Sequence, residues 1–88
     1  MAKRTDANQA EIMAALRKVG ASVQSLHEVG RGCPDLVVGY HGHNYLMEVK
    51  MPFQILNAAE EAWHVKWKGQ VAVVYGVKEA LVQIGAAL

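Results

Sequence analysis

The sequence predicts an α/β fold in which helices flank a mixed central sheet, with the element order αβββαβα. Two strand patterns adjoin across a short turn in the middle of the chain, and a helix and then an apolar run of strand length follow them. A strand, a helix and another strand in this order predict a parallel crossover, which makes the sheet mixed. No linker or internal repeat divides the chain, so residues 1–88 are interpreted as a single domain.

The first helix is predicted by apolar residues at helical spacing, Ile12, Leu16 and Val19. Residues 5–8 are of types that cap helices, and Gly20 is typical of a helix end. Residues 21–27 then alternate weakly between polar and apolar side chains. This alternation favours an edge or half-buried strand.

Residues 35–40 and 45–50 form the two strongest strand patterns, and Gly42 lies between them. A type II′ hairpin turn takes glycine at its first central position, so Gly42 and His43 are predicted as the central pair. The resulting register places Tyr40 opposite Tyr45, Val37 opposite Glu48, and Asp35 opposite Lys50.

A second helix is predicted to begin at Asn57, because Glu60 completes a capping box in which Asn replaces the usual Ser or Thr. Its apolar stripe is expected to comprise Ala59, Ala62, Trp63 and Trp67. Its polar side is expected to carry Glu60, Glu61, His64 and Lys68, with Gly69 as the C′ glycine. The apolar residues 71–75 predict a strand covered on both faces. The last helix is predicted by Val77, Ala80, Leu81 and Ile84.

Charged residues occur in the hairpin where strands are usually apolar. Because side chains alternate between faces with period two, Asp35, Glu48 and Lys50 are predicted to share one face. The other face is predicted to be an apolar layer of Leu36, Val38, Tyr45, Met47 and Val49. From the usual cross-strand spacings, two carboxylates and an ammonium group are therefore expected within about 5 to 8 Å of each other.

Oxygen ligands of this kind suit a hard divalent cation, since Mg²⁺ binds carboxylates and keeps several waters. Asp35, Glu48 and the backbone carbonyl of Val49 are predicted to hold Mg²⁺ or Mn²⁺. Lys50 would orient or deprotonate a bound water, or offset charge on a transition state. Glu11 is a weaker candidate for a further carboxylate. The alternative for Glu11 is an acid that stabilises a nearby helix N-terminus. The alternative for Asp35 and Lys50 is a cross-strand ion pair.

Together these residues resemble the PD-(D/E)xK nuclease superfamily, with Pro34-Asp35 before the hairpin and Glu48-Val49-Lys50 at its end. The closer resemblance is to small phage and prophage proteins of the virus-type replication-repair nuclease (VRR-NUC) group. The shared motifs are Asn-x-x-Glu-Ile, Gly-x-Pro-Asp-Leu-x-Val-Gly, Tyr-Leu-x-Glu-Val-Lys, and a helix that ends in Trp before a Val-rich strand. The resemblance covers nearly the whole chain.

The resemblance implies a restriction-endonuclease-like core and a metal-dependent DNA endonuclease, with Glu11, Asp35, Glu48 and Lys50 as the catalytic set. It also implies branched DNA, a four-way junction or a flap, as substrate and a homodimer as the active form. Gln9 stands where relatives often have an acid, and Glu60 where they often have Gln. The alternative is a non-catalytic DNA-binding or assembly module that retains the fold.

Partners and location are suggested by charge and composition. The formal net charge is +1, but assigning acids to a metal site leaves a modestly basic surface for DNA. The candidate DNA contacts are Lys3, Arg4, Arg31, His43, Lys66 and Lys68. The single cysteine, Cys33, excludes a disulfide framework and is interpreted as incidental to the site. With no apolar run of membrane length and no leader pattern, we expect a protein of the bacterial or phage-infected cytoplasm, without membrane contact or organic cofactor.

Overall fold

The computed structural model describes residues 7–86, and it confirms the predicted order of elements. In chain order these are α1 (Gln9–Lys18), β1 (Ser22–Ser25), β2 (Leu36–Tyr40), β3 (His43–Val49), α2 (Ala58–Lys66), β4 (Ala72–Val74) and α3 (Val77–Gln83). The strands form one sheet in the order β1-β2-β3-β4. Neighbouring strands are antiparallel from β1 to β3, whereas β3 and β4 are parallel. The sheet is therefore mixed, as predicted, and β1 is an edge strand.

The hydrophobic core lies between one face of the sheet and the helices α1 and α3. The sheet contributes Leu36, Val38, Met47, Val49 and Val74, and the helices contribute Ile12, Leu16, Ala80 and Leu81. The alternation of buried residues in β2 and the helical spacing in α1 both match the sequence patterns. Within residues 7–86, no helix is long and apolar enough to cross a membrane.

Asn8 connects α1 to the sheet. It occupies the N-cap position, but its side chain makes no capping hydrogen bond. Instead its Nδ2 atom donates to the backbone carbonyls of Lys50, at 3.1 Å, and of Tyr75, at 3.0 Å. The start of α1 is thereby tied to the ends of both β3 and β4. Residues 5 and 6 of the predicted capping run lie outside the described residues.

The hairpin register differs from the predicted one. Tyr40 pairs with His43, and Val37 with Leu46. The central turn residues are His41 and Gly42, with φ angles of 49° and 82°, as a type I′ turn requires. The ring of Tyr40 stacks on that of His41 at 3.9 Å. A two-residue turn shifted by one position moves each cross-strand partner by two residues. Each side chain therefore stays on its predicted face of the hairpin. The predicted pairing of Asp35 with Lys50, however, was wrong.

The second helix is capped as predicted. Asn57 Oδ1 accepts from the Glu60 N–H at 2.8 Å, and Glu60 Oε1 accepts from the Asn57 N–H at 2.9 Å. The predicted end was wrong, because the C-cap is Trp67 in an extended conformation and Gly69 lies beyond the C′ position. Trp67 remains 44 % exposed and stacks on Trp63 at 4.5 Å. Within the described residues, α2 contributes no buried side chain to the core.

The strand β4 is less covered than predicted. Val74 is buried, but Tyr75 is exposed and Val73 only half-buried. The strand is shorter than the apolar run and lies at the edge of the sheet. The run pairs with β3, and Val74 is its fully buried residue, on the face that packs into the core.

Candidate functional site

The candidate site lies where the start of β2 meets the end of β3. Antiparallel pairing brings these two ends together. The backbone carbonyl of Asp35 accepts from the Leu26 N–H at 2.8 Å. Its carboxylate Oδ2 accepts from the Val49 N–H at 2.7 Å. Asp35 is therefore held by both neighbouring strands, and its side chain is aimed across the hairpin at β3.

Glu48 is the most deeply buried charged residue within the described part of the chain, with 1 % of its surface exposed. It is in side-chain contact with both Asp35 and Glu60. Its pKa is raised from 4.5 to about 9. Burial is the largest cause, followed by the hydrogen bond and charge of Asp35 and the charge of Glu60, whereas the charge of Lys50 lowers the pKa. Without a cation, this environment therefore favours the protonated form of Glu48, and a bound cation would favour its ionised form.

Lys50 is bound by α2. Its Nζ atom lies 2.7 Å from Glu60 Oε1, and both side chains are largely buried. Burial alone would raise the pKa of Glu60, but hydrogen bonds from Lys50 and from the Asn57 backbone, with the charge of Lys50, bring it below its ordinary value. Glu60 is therefore a carboxylate that caps its own helix and anchors Lys50. The predicted polar side of α2 thus faces the site at Glu60.

His64 also faces the site, one helical turn after Glu60. Its Nε2 atom lies 3.8 Å from Glu48 Oε1, too far for a hydrogen bond. Both atoms are buried and have no hydrogen-bond partner among the described residues. The predicted polar side of α2 therefore turns His64 toward the site as well. The spacing of Glu60 and His64 was a usable signal, because residues four apart lie on the same side of a helix.

The role of Glu11 in the site stays a prediction. This side chain is exposed on α1, and the interactions that shift the pKa values of Glu48, Glu60 and Cys33 do not involve it. Gln9 is instead the buried polar residue of α1, with 5 % of its surface exposed and its Oε1 without a partner among the described residues. The stripe that begins with Gln9 continues through Ile12 and Leu16 into the core.

The loop before β2 approaches α2 closely at Gly32. A Cβ atom on Gly32 would lie 2.2 Å from the carbonyl oxygen of Ala59, and its φ angle of +83° also favours glycine. This contact sets the distance between the loop and the start of α2. Next to Gly32, burial and the charges of Glu48 and Asp35 raise the pKa of the Cys33 thiol. A thiol held protonated in this way is a poor nucleophile.

The candidate DNA contacts are dispersed. Arg31, His43, Lys66 and Lys68 are exposed, whereas Lys3 and Arg4 lie outside the described residues. Arg31 belongs to the loop next to the site. His43 is five residues before Glu48 on β3, which places it about 16 Å away at the other end of the strand. A phosphate bound at Glu48 would therefore be closer to the loop than to the hairpin turn.

The donor atoms fit a hard divalent cation. Asp35 and Glu48 supply adjacent carboxylates, and Val49 supplies a backbone carbonyl between Glu48 and Lys50. Glu48 Oε1 is a buried acceptor without a donor in the part of the chain that the structure describes. No three His, Cys, Asp or Glu side chains there already form a metal-binding group. Mg²⁺ does not require one, since one or two carboxylates with several waters suffice.

Comparisons with known proteins identify the fold. A solved structure titled "VRR_NUC domain" superimposes with a TM-score of 0.69 at 24 % sequence identity, covering 85 % of this chain and 89 % of the other. This chain has the fold of a VRR_NUC domain. The likeness confirms the fold expected from the sequence motifs. No family model matches the chain, and no curated protein matches it either.

Proposed function

We propose that this protein is a metal-dependent DNA endonuclease that hydrolyses phosphodiester bonds. The observation that carries the proposal is the buried contact of Glu48 with Asp35, beside Lys50, at the meeting point of β2 and β3. A chain gains no stability from burying adjacent acids, so such a cluster favours a functional role. The fold of a VRR_NUC domain supports the same conclusion.

In this proposal Asp35, Glu48 and the carbonyl of Val49 hold Mg²⁺ or Mn²⁺. When bound, the cation supplies an acidic water and a positive charge for the scissile phosphate. The Val49 N–H fixes Asp35, so this carboxylate is already oriented before the cation binds. Lys50 places a second positive charge at the phosphate, and Glu60 holds it ready within reach. Glu11, exposed on α1, remains the candidate for a further carboxylate at this site.

DNA is the proposed substrate, with branched DNA as the favoured form. Arg31 in the loop before the site, and Lys66 and Lys68 at the end of α2, are exposed cations suited to backbone phosphates. A domain of 88 residues has little surface with which to grip a four-way junction. We therefore propose a homodimer that presents two sites to such a substrate.

A cleavage panel tests the function. The protein is incubated with four-way junction, flap and linear duplex DNA in Mg²⁺, in Mn²⁺ and in EDTA. Cleavage of at least one substrate in either metal is expected, and none in EDTA. Lys50→Ala should cut at least about 10²-fold more slowly, because a charge at the reacting phosphate is lost. Lys18→Ala, an exposed lysine at the end of α1, is the matched control and should cut normally.

Two results would contradict the proposal: intact DNA under every condition, or equal rates for Lys50→Ala and the unaltered chain. The second candidate is a non-catalytic DNA-binding module, and the ion pair that engages Lys50 with Glu60 favours it. In that case EDTA leaves the DNA affinity unchanged and no substrate is cut. Light scattering at working concentration tests the homodimer separately, and a monomeric mass would remove that claim.

A further inference from the structure

We propose that His64 is a positioning residue that donates a hydrogen bond to Glu48 when Glu48 binds the cation. The inference rests on the proposed function, because it concerns the same metal site. It assigns α2 a specific task, which is to hold the two reactive groups at the end of β3. Glu60 holds Lys50, and His64 holds Glu48.

The geometry of two buried atoms is the first argument. Nε2 of His64 and Oε1 of Glu48 face each other at 3.8 Å, and neither has another hydrogen-bond partner among the described residues. Buried polar atoms are nearly always satisfied in folded proteins. A closure of about 1 Å would bring the pair to hydrogen-bonding distance. A small movement of Glu48 would therefore complete a hydrogen bond from His64.

Metal binding supplies a reason for that movement. Carboxylates that bind a metal are usually hydrogen-bonded by a neighbouring group, which orients them and tunes their affinity. In the metal-free chain, Glu48 shares its contacts with Asp35 and Glu60, which are themselves acids. Once Glu48 is an ionised ligand, its Oε1 atom can also accept a hydrogen bond, and His64 Nε2 lies 3.8 Å from that atom. The Nε2–H group of His64 provides that donor.

The location of α2 is the second argument. This helix buries no side chain in the described core, so its position depends on local contacts near the site. Its first turn rests on Gly32, and Glu60 and His64 project from one side to Lys50 and Glu48. A helix whose inner side meets the site through these two polar residues is suited to positioning them.

Calorimetric titration with Mg²⁺ and Mn²⁺ tests the inference without DNA. The variants are His64→Phe, which keeps a ring but has no donor, and His64→Gln, which restores an N–H donor. Val65→Gln is the control, because Val65 lies on α2 but is 75 % exposed. His64→Phe should lower the affinity for both metals by a similar factor of about 10 to 100. His64→Gln should recover most of the affinity, and Val65→Gln should bind normally.

Three outcomes overturn the inference. Normal metal affinity in His64→Phe shows that Glu48 does not need the donor. A loss that His64→Gln does not recover points to a purely structural role. If His64→Phe loses far more affinity for Mn²⁺ than for Mg²⁺, His64 is a direct ligand, because imidazole favours the transition metal. The expected metal affinities together with intact DNA would instead leave the inference standing and reject the nuclease function.

Discussion

The two faces of the β2–β3 hairpin differ in what covers them. On one face Leu36, Val38, Met47 and Val49 are almost completely buried beneath α1 and α3. On the other face, Glu48 and Lys50 meet α2 beside Asp35, and α2 contributes no buried side chain to the described core. The helices α1 and α3 are held by apolar burial, whereas α2 is held largely by polar contacts at the site. One face therefore provides stability, and the other stores polar groups at a cost in stability.

Substitution of two neighbouring residues on β3 provides the strongest test of this comparison. Met47 is fully buried in the core, so Met47→Ala should lower the free energy of unfolding by about 2–5 kcal/mol. Glu48→Gln should leave the metal-free stability unchanged or higher, because it removes a buried ionisable acid. Urea denaturation without metal measures both effects. If both variants lose similar stability, the two faces do not differ in the way described.

A smaller effect is expected from pH. The pKa of Glu48 is about 9 in the folded chain, against an ordinary value of 4.5. Between these values the folded state retains a proton that the unfolded state has released. The contribution of Glu48 to stability should thus be complete below pH 4.5 and should be lost as the pH rises toward about 9.

Thermal melting of the metal-free protein across this interval measures the effect. The melting temperature should decline more steeply with pH in the unaltered chain than in Glu48→Gln, which cannot ionise at this position. Glu61→Gln, an exposed acid of α2, serves as the control and should retain the steep decline. Parallel curves for the unaltered chain and Glu48→Gln would show that Glu48 is already ionised in the metal-free state.

The smallest expected effect concerns the capping box of α2. Asn57→Ala removes the acceptor of the Glu60 N–H and should destabilise this helix by about 1 kcal/mol. Because α2 is only loosely connected to the core, amide exchange should accelerate in α2 and remain slow in α1. Asn44→Ala, at an exposed position of β3, is the matched control. Equal acceleration in α1 and α2 would show that both helices unfold with the core.

Local patterns were sufficient for most of the fold. The helical spacing of Ile12 and Leu16 and the capping pair Asn57 and Glu60 depend on neighbours within one or two turns, so the sequence contains the whole signal. The hairpin turn shows the limit of such reasoning. Gly42 suits either turn type, and the structure has His41 in the left-handed region as its partner. The register therefore had two local solutions, and the pairing of the two strands selected one.

By itself, the sequence determined that Asp35, Glu48 and Lys50 share one face of the hairpin. Side-chain alternation has period two, so even the incorrect register preserved this result. Only the tertiary structure decided what these groups contact. Glu60 and His64 come from α2, a separate element, and its position depends on the close approach at Gly32. Contacts between β3 and α2 depend on three-dimensional packing. The alternation of residues along a strand contains no signal for such contacts.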